Sequence, residues 1–444
     1  MAFGKMNKDK IIEDFRDMIR IRTVSVTDPK KLDREAYIAF RKLLLTRFPN
    51  LYREADVFSV APAGILYHLR GQSAEKPSVL MAHYDVVPVN AKEWTHDPFA
   101  ATMEEGRIYG RGTLDTKSTL WAIVEAVENA LSSGWRPKND LYLSFGGEEE
   151  THGETTANIV KYLKGKGVRP AFVLDEGGAV IPEGLPGFHQ KAAMVGIAEK
   201  GTANYMLYLR GKAGHASTPP KMTAAARLAK AAVRVSEYRF PTRITSPVRQ
   251  MFSALAGETS FPVSQAFANA DRLAPLIGAA ATFAGGSLRA MVKTTAAVVI
   301  LEARSAFNVL PSEAAMGVNL RLLPGETVES GAKHLQKAVR DKEIQVSLID
   351  GTNPTPISRT DGPAWETLRK VVGEVWPDAA VVPYQLNGGT DSRYYHEISD
   401  YVYKFSPMEM TAAERATVHG VDESISVRNL LRTFVFYSRL LEEL

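Results

Sequence analysis

Residues 80–85 read LMAHYD, an apolar run that ends in His83 and, two residues later, Asp85. Side chains alternate between the two faces of a strand, so these polar side chains lie on one face of an extended segment. A metal-bound imidazole usually donates its second N–H to a carboxylate, and Asp85 is placed to accept it. Alone, a His-x-Asp pair is a weak signal, because an ordinary surface histidine explains it too.

Two further apolar runs end in acidic residues: LYLSFGGEEE at residues 141–150 and AFVLDE at residues 171–176. The carboxyl ends of successive strands meet at the sheet edge where open α/β folds bind ligands. Three adjacent glutamates repel one another unless a positive charge lies nearby, and a metal would supply it. One glutamate could then bind metal while its neighbour acts as general base, the alternative being a solvated acidic loop. The pattern predicts a metal-dependent hydrolase.

Four other motifs are ambiguous when taken singly. In GRGTLDTK, residues 110–117, Asp115 could bridge two cations or simply cap the following helix. His215 in GKAGHAS and His419 in VHGVDE are isolated histidines. The glycine-bracketed stretch NGGTDSR, residues 387–393, could bind an anion or form a tight turn.

Composition narrows the class of protein. The chain has 444 residues, of which 45% are hydrophobic and 23% charged, which fits a globular protein of two or three domains. The net charge of +4 with scattered basic residues argues against nucleic acid. Cysteine is absent, so thiolate catalysis and sulfur-ligated zinc are excluded and any metal has oxygen and nitrogen ligands. No apolar segment follows the charged residues 1–10, and the apolar stretch 273–288 is too short to span a bilayer, so we expect a cytoplasmic protein without membrane contact.

The order of strand-like and helical segments predicts an inserted domain. Up to residue 198 the two alternate, which is typical of βαβ units and a parallel sheet. Residues 199–351 have a compact α+β pattern, and the alternation returns over 352–444. We therefore expect an α/β fold with a catalytic domain formed by 1–198 and 352–444.

Taken together and in order, these motifs resemble the co-catalytic zinc metallopeptidase family that includes glutamate carboxypeptidase, aminoacylase and Gly-X carboxypeptidase. The resemblance covers nearly the whole chain. VLDEGG at residues 173–178 and AEKG at residues 198–201 are most similar to the branch of carboxypeptidase S and N-acyl-amino-acid hydrolases. It implies a mostly parallel-sheet catalytic domain of the zinc-peptidase type and an inserted α+β sandwich that acts as lid and dimerisation domain.

The resemblance also implies roles for individual residues. It implies two Zn²⁺ ions per subunit, with Co²⁺ or Mn²⁺ as alternatives. Their ligands would be His83, Asp115 as the bridge, Glu150, His419 and one carboxylate of the pair 175–176, of which Asp175 is favoured. Glu149 would be the general base. From the residues themselves, Asp85 is also counted among the catalytic residues, because its carboxylate could fix the tautomer of the His83 imidazole. His215 would stabilise the oxyanion in the partner subunit of a homodimer, and substrate would be bound by Asn308, Arg321, Gly389, Thr390, Asp391 and Arg393.

Two departures from the family pattern are visible, neither of which removes a ligand, and the second bears on substrate specificity. Thr116 replaces the second aspartate that usually follows the bridging one across a cis peptide. Glu148 and His152 flank the glutamate pair where the family has other residues. The expected reaction is cleavage of an amide next to a free carboxylate, by a carboxypeptidase or dipeptidase or, alternatively, by an N-acyl-amino-acid hydrolase. An aminopeptidase fits less well, and a metal-free binding protein of the same fold is the alternative outside the enzymes.

Overall fold

The computed structural model describes residues 7–183, 188, 190–259, 261–303 and 306–444. The first six residues of the charged N-terminal stretch lie outside the described residues. None of the described helices is both long and apolar enough to cross a membrane.

Eighteen strands are described. They are β1 (Asp56–Val60), β2 (Gly64–Leu69), β3 (Ser73–His83), β4 (Thr102–Glu104), β5 (Arg107–Tyr109), β6 (Asn139–Gly146), β7 (Phe172–Asp175), β8 (Val180–Ile181), β9 (Lys191–Glu199), β10 (Gly201–Arg210), β11 (Gly214–His215), β12 (Thr295–Glu302), β13 (Val309–Leu310), β14 (Glu313–Leu322), β15 (Gln345–Thr352), β16 (Ala379–Leu386), β17 (Val402–Lys404) and β18 (Ser424–Ser426).

Fourteen α-helices connect or cover these strands. They are α1 (Lys8–Arg20), α2 (Arg34–Arg47), α3 (Pro49–Glu54), α4 (Lys117–Ser132), α5 (Thr155–Gly165), α6 (Ala224–Ser236), α7 (Ser246–Ala256), α8 (Val263–Ala268), α9 (Ala274–Ala284), α10 (Gly286–Val292), α11 (Val328–Val339), α12 (Pro363–Val375), α13 (Ala412–Thr417) and α14 (Val427–Glu443).

The central sheet has the strand order β1-β2-β6-β3-β7-β17-β9-β16, with β8 paired to β9. Its middle pairs, β6 with β3, β3 with β7 and β7 with β17, are parallel. Helix α4 is buried along most of its length and packs against α1 and α14. Its Trp121 lies between Phe15 and Phe434, which anchors the helix in the core beside the sheet. The predicted α/β class with a largely parallel central sheet is confirmed.

A separate antiparallel sheet with the order β12-β14-β10-β15 lies within residues 201–352. Helices α6 and α11 cover one face, and their apolar side chains form a second core with β10 and β14. A two-stranded ribbon of β11 and β13 and the helices α7 to α10 belong to the same part of the chain. This arrangement agrees with an inserted α+β unit, and the boundaries at residues 199 and 351 stay a prediction.

The strand order places the predicted site at one edge. Strands β6, β3 and β7 are neighbours and run parallel, so their carboxyl ends lie side by side. His83 ends β3, Asp175 ends β7, and the glutamate triplet follows β6 through Gly146 and Gly147. A Cβ on Gly147 would lie 2.7 Å from the Tyr84 ring, so only glycine allows the chain to turn there.

Candidate metal centre and substrate cavity

Two groups of potential metal ligands share one aspartate. His83, Asp115 and Glu176 form one group, and Asp115, Glu150 and His419 form the other, with ligand atoms within 4.8 Å of one another in each. Asp115 Oδ1 lies 2.9 Å from His83 Nε2, and its Oδ2 lies 2.9 Å from His419 Nε2. One oxygen therefore faces each group, as a carboxylate that bridges two cations requires.

The outer members of the two groups lie at similar range. Glu176 Oε1 is 3.5 Å from His83 Nε2, and Glu150 Oε2 is 3.1 Å from His419 Nε2. The two histidines differ in environment, because His83 is buried whereas about half of the His419 side chain is exposed. Approach from solvent is therefore through the His419 side of the centre.

Asp85 holds the turn that carries the glutamates. Its Oδ1 accepts a hydrogen bond from the Glu149 amide at 3.2 Å, and its Oδ2 accepts one from the Glu150 amide at 3.1 Å. The nearest partner of His83 Nδ1 is the backbone carbonyl of Asp85 at 3.0 Å, with the Asp85 carboxylate at 3.5 Å. The Asp85 carboxylate is thus used mainly to position Glu149 and Glu150, while its carbonyl orients the imidazole.

The geometry differs from the expectation that Asp175 binds metal. Asp175 Oδ1 accepts the amide N–H of Glu176 at 2.9 Å, and its Oδ2 accepts that of Ser392 at 2.9 Å. Both oxygens are engaged by backbone donors, and the neighbouring Glu176 carboxylate faces His83 instead. The Glu176 carboxylate rather than that of Asp175 therefore lies beside His83, and Asp175 holds the loop that contains Ser392.

Burial and mutual repulsion perturb the carboxylates of the centre. Burial raises the pKa of Glu149 well above its usual range, and the nearby Glu176 and Asp391 carboxylates raise it further. Burial and the adjacent Asp115 raise the pKa of Glu176 to about 8. Burial opposes ionisation of Asp115 too, yet hydrogen bonds from His419 and His83 hold its pKa below its usual value.

The residues fit a pair of divalent cations. Imidazole and carboxylate groups suit zinc, and a cation relieves the repulsion among carboxylates that lie close together. Glu150 Oε1 is buried and has no hydrogen-bond partner among the described residues, although buried carboxylate oxygens are normally satisfied. A cation would satisfy this oxygen and relieve the repulsion at once.

Sequence reasoning missed Glu423, which fixes the loop that carries Asp115. Its Oε1 accepts the amides of Leu114 at 2.6 Å and Asp115 at 3.1 Å, and its Oε2 contacts the buried Arg111 guanidinium at 2.6 Å. Glu423 lies four residues after His419, so one short segment supplies a ligand and positions another. Nothing in the sequence pattern indicates this pairing, because the two segments are far apart in the chain.

A polar cavity of about 440 Å³ adjoins this region and contains three of the predicted substrate residues. Arg321, Gly389 and Arg393 line it, together with Lys200 and His152. Glu199 and Asp350 also line this cavity, which is called the cationic cavity below because Arg321 and Arg393 bring two guanidinium groups to it. Guanidinium groups are suited to binding a carboxylate.

The other two predicted residues of the 389–393 loop have buried side chains that fasten the loop. Thr390 Oγ1 donates to Glu199 at 2.9 Å, and Asp391 Oδ2 accepts from Thr156 at 2.6 Å. Their role in the structure is therefore to position Gly389 and Arg393.

His215 and Asn308 lie apart from the metal ligands within the inserted unit. His215 pairs with Val309 in the β11–β13 ribbon, and Asn308 O accepts the Ala216 amide at 2.9 Å. Both residues are exposed, and among the described contacts none joins His215 to the two ligand groups. His215 Nδ1 instead lies 2.7 Å from Ser217 Oγ, which leaves Nε2 directed elsewhere.

The departures from the family pattern leave the ligand set intact. The Asp115–Thr116 peptide bond is cis although the second aspartate is absent. Glu148 accepts a hydrogen bond from Thr155 Oγ1 at 2.7 Å. His152 lines the same polar cavity as Arg321, whereas Glu148 lines a different cavity.

The chain is similar to several known proteins. The sequence profile described as "Peptidase family M20/M25/M40" matches residues 79–443. The chain is 32% identical over 433 residues to the human N-fatty-acyl-amino acid synthase/hydrolase PM20D1, covering 96% of this chain and 86% of that protein. It is 30% identical over 449 residues to the probable carboxypeptidase S-like 2 of Dictyostelium discoideum, covering 99% and 86%.

Solved structures with low sequence identity share the fold. The metallo-carboxypeptidase Sso-CP2 of Sulfolobus solfataricus, described as an M20 family member, superposes with a TM-score of 0.71 at 18% identity, covering 97% of this chain and 98% of that one. Human carnosine dipeptidase 1 superposes with a TM-score of 0.67 at 16% identity, covering 98% and 97%. The predicted fold class is thereby confirmed independently of the strand order.

Proposed function

Because the chain belongs to peptidase family M20/M25/M40, and is therefore a hydrolase of the carboxypeptidase, dipeptidase or N-acyl-amino-acid type, we propose that it is a dinuclear zinc enzyme that cleaves an amide bond next to a free carboxylate. The observation that carries this proposal is Asp115, whose two oxygens face two separate ligand groups. The buried Glu149 beside them supplies the acid–base group.

The two ligand groups define which residues hold the metals. His83, Asp115 and Glu176 would hold one cation, and Asp115, Glu150 and His419 the other. When bound, the cations would polarise the scissile carbonyl and lower the pKa of a water toward about 7. Zinc is the expected metal, and cobalt or manganese would accept the same ligands.

Glu149 is the proposed general base. Its carboxylate takes a proton from the attacking water and returns it to the nitrogen of the leaving amine, as a single positioned group can do in both steps. The Asp85 carboxylate holds the Glu149 amide and so fixes where this carboxylate lies. Burial excludes competing water from the proton while it is held.

Recognition of the substrate carboxylate is assigned to the cationic cavity. Arg321 and Arg393 supply guanidinium groups, which bind carboxylates in a planar, paired geometry. Gly389 lines the same cavity without a side chain, while Thr390 and Asp391 hold its loop in place. The guanidinium groups attract a negatively charged carboxylate and repel a protonated amine. This favours substrates with a free carboxylate over the substrates of an aminopeptidase, which carry a free amine.

We further propose a homodimer in which His215 and Asn308 complete the site of the partner subunit. His215 in β11 and Asn308 immediately before β13 are both exposed, which supports this role. The edge strands β12 and β15 also expose large apolar side chains, including Val299, Leu301 and Ile349. Exposed apolar groups concentrated on one sheet are typical of a subunit interface.

Two substrate branches fit this chemistry. Sso-CP2 and carnosine dipeptidase 1 are described as a carboxypeptidase and a dipeptidase, whereas PM20D1 is described as acting on N-fatty-acyl amino acids. The amide and the carboxylate are common to both branches, so the metal centre does not separate them. The complete ligand set and the family membership together argue against a metal-free binding protein.

Hydrolysis of a substrate panel tests the proposal. Zinc-loaded enzyme would be incubated with dipeptides, N-acetyl amino acids and long-chain N-acyl amino acids, with a chelator-treated sample as control. We expect cleavage of at least one class that is lost with the chelator and restored by zinc. Cleavage that is unaffected by complete metal removal would contradict the metal mechanism.

Substitutions in the pair 175–176 test the ligand assignment. Glu176→Gln should weaken zinc binding at one of the two sites by more than about 100-fold, because it removes a direct ligand. Asp175→Asn should cost roughly 10–100-fold, as expected for an outer group that only orients the site. Zinc affinity is measured by competition with a chromophoric chelator. A larger loss in Asp175→Asn than in Glu176→Gln would return the ligand role to Asp175.

A further inference from the structure

A second cavity, of about 330 Å³, lies outside the metal centre and is lined by apolar side chains alone. Met194 of β9 forms its floor, and helices α7 to α10 form its walls through residues such as Met251, Phe252, Ala281 and Met291. Methionines adapt their shape to flexible apolar ligands. With no polar lining group, the cavity offers nothing to a hydrogen-bonding ligand and suits a hydrocarbon.

The cavity exists because one helix carries small side chains toward it. Ile277, Ala280, Ala281 and Ala284 of α9 line the cavity at helical spacing. Three alanines in this stripe leave space that larger side chains would fill. The same helix exposes Leu276 and Phe283, so the apolar character continues to the surface of the protein.

Lys200 links this apolar cavity to the cationic cavity. It lines the cationic cavity beside Arg321, and its Nζ donates to Ala290 O at 3.0 Å and to Lys293 O at 2.8 Å. Met291 and Val292, the residues between these two carbonyls, line the apolar cavity. Residues 290–293 therefore contact Lys200 of the cationic cavity through two backbone carbonyls and line the apolar cavity through Met291 and Val292, so the two cavities are neighbours.

We propose that the apolar cavity binds the alkyl chain of an N-acyl amino acid whose carboxylate lies in the cationic cavity. This inference rests on the proposed function and selects the N-acyl branch over the dipeptide branch. A flexible, unbranched chain with a carboxylate matches both the apolar lining and the adjacent positive charge. A short peptide would bury its polar amides among Met251, Phe252 and Ile277, which is unfavourable.

Dependence of turnover on chain length tests the inference. The wild-type zinc enzyme would be assayed with acetyl, octanoyl, dodecanoyl and hexadecanoyl derivatives of one amino acid. Each methylene that enters the cavity should raise kcat/KM by up to about fourfold until the cavity is full. Equal kcat/KM from acetyl to hexadecanoyl would overturn the inference and leave the proposed function standing.

A cavity-filling variant localises the effect. Ala281→Phe should lower kcat/KM for the dodecanoyl substrate by at least about tenfold and leave the acetyl substrate unchanged, because only the longer chain needs the space. Ala284→Phe serves as a second filling variant if the first fails to fold. Ala279→Phe, at an exposed position of α9 that does not line the cavity, is the matched control. A chain-length profile that is identical in all variants would overturn the inference.

Binding of dodecanoate tests whether the apolar cavity takes up an alkyl chain, even if no substrate is cleaved. Calorimetric titration should show dodecanoate binding to wild type and to Ala279→Phe, with loss of binding in Ala281→Phe. Complete absence of hydrolysis by zinc-loaded enzyme would contradict the proposed function, while this titration still tests the cavity. Absence of dodecanoate binding to the wild type would overturn the inference. A change in oligomeric mass in Ala281→Phe without any effect of chain length would also overturn it, and would assign the cavity to contact between copies of the chain.

Discussion

Replacing Glu149 by glutamine should lower kcat by about 10²–10⁴-fold, which is the usual contribution of a positioned general base. Glutamine keeps the shape of the side chain and removes the carboxylate that accepts and returns the proton. The hydrogen bond to the Asp85 carboxylate comes from the backbone N–H of residue 149, so the substitution should not remove it. Steady-state kinetics at saturating zinc measures the effect.

Zinc content separates this role from a ligand role. Glu149 belongs to neither ligand group, so the glutamine variant should retain the zinc stoichiometry of the wild type. Glu148→Gln is the matched control, since it removes the same charge from the adjacent residue, whose carboxylate contacts Thr155 instead. Turnover near the wild-type level in Glu149→Gln, or a loss of zinc in proportion to the loss of activity, would contradict the assignment.

His215→Ala should lower kcat by about 10²–10³-fold, the typical cost of one donor to the oxyanion. If His215 acts in the partner subunit, mixing the two inactive variants His215→Ala and Glu149→Gln should restore activity. A hybrid dimer then contains one site with an intact Glu149 and an intact histidine from its partner. Random exchange of subunits should recover roughly a quarter of the wild-type activity, because half of the dimers are hybrids with one working site.

Activity of the mixture is compared with that of each variant alone at the same total concentration. Lys212→Ala, an exposed substitution in the loop that precedes His215, should have no comparable effect. A mixture that stays as inactive as its parents, although mass measurements show hybrid dimers, would place the action of His215 within its own subunit or remove it altogether.

Much of the candidate metal centre could be predicted because its residues follow strands. His83 and the acidic residues after β6 and β7 lie where apolar runs end, and parallel strands bring those ends together. The fold class followed from the same alternation of strands and helices. Asp115 and His419 lie on loops, and only their resemblance to a known motif indicated their roles.

The choice between Asp175 and Glu176 could not be made from sequence. Both carboxylates follow the same strand, and the outcome depends on where the amide of Ser392 lies, more than two hundred residues away. The apolar cavity could not be predicted from the sequence either. The alanine-rich stretch 273–288 has an apolar composition, but composition does not indicate that its helices leave a space. Pairing between distant segments is the information that local patterns lack.

Because of Glu423, the candidate metal centre can be complete only after residues 419–423 have been synthesised. Its carboxylate reaches Leu114 across a sequence separation of 309 residues, and His419 lies in the same segment. A nascent chain that has emerged only through β16 would hold His83, Asp115, Glu150 and Glu176 but neither His419 nor the Glu423 carboxylate that fixes the loop of Asp115. Such long-range contacts form late, because the intervening loop must first be closed. In the proposed dinuclear centre, tight binding of both cations would therefore require synthesis of the last part of the polypeptide, and a prematurely terminated chain should retain fewer ions.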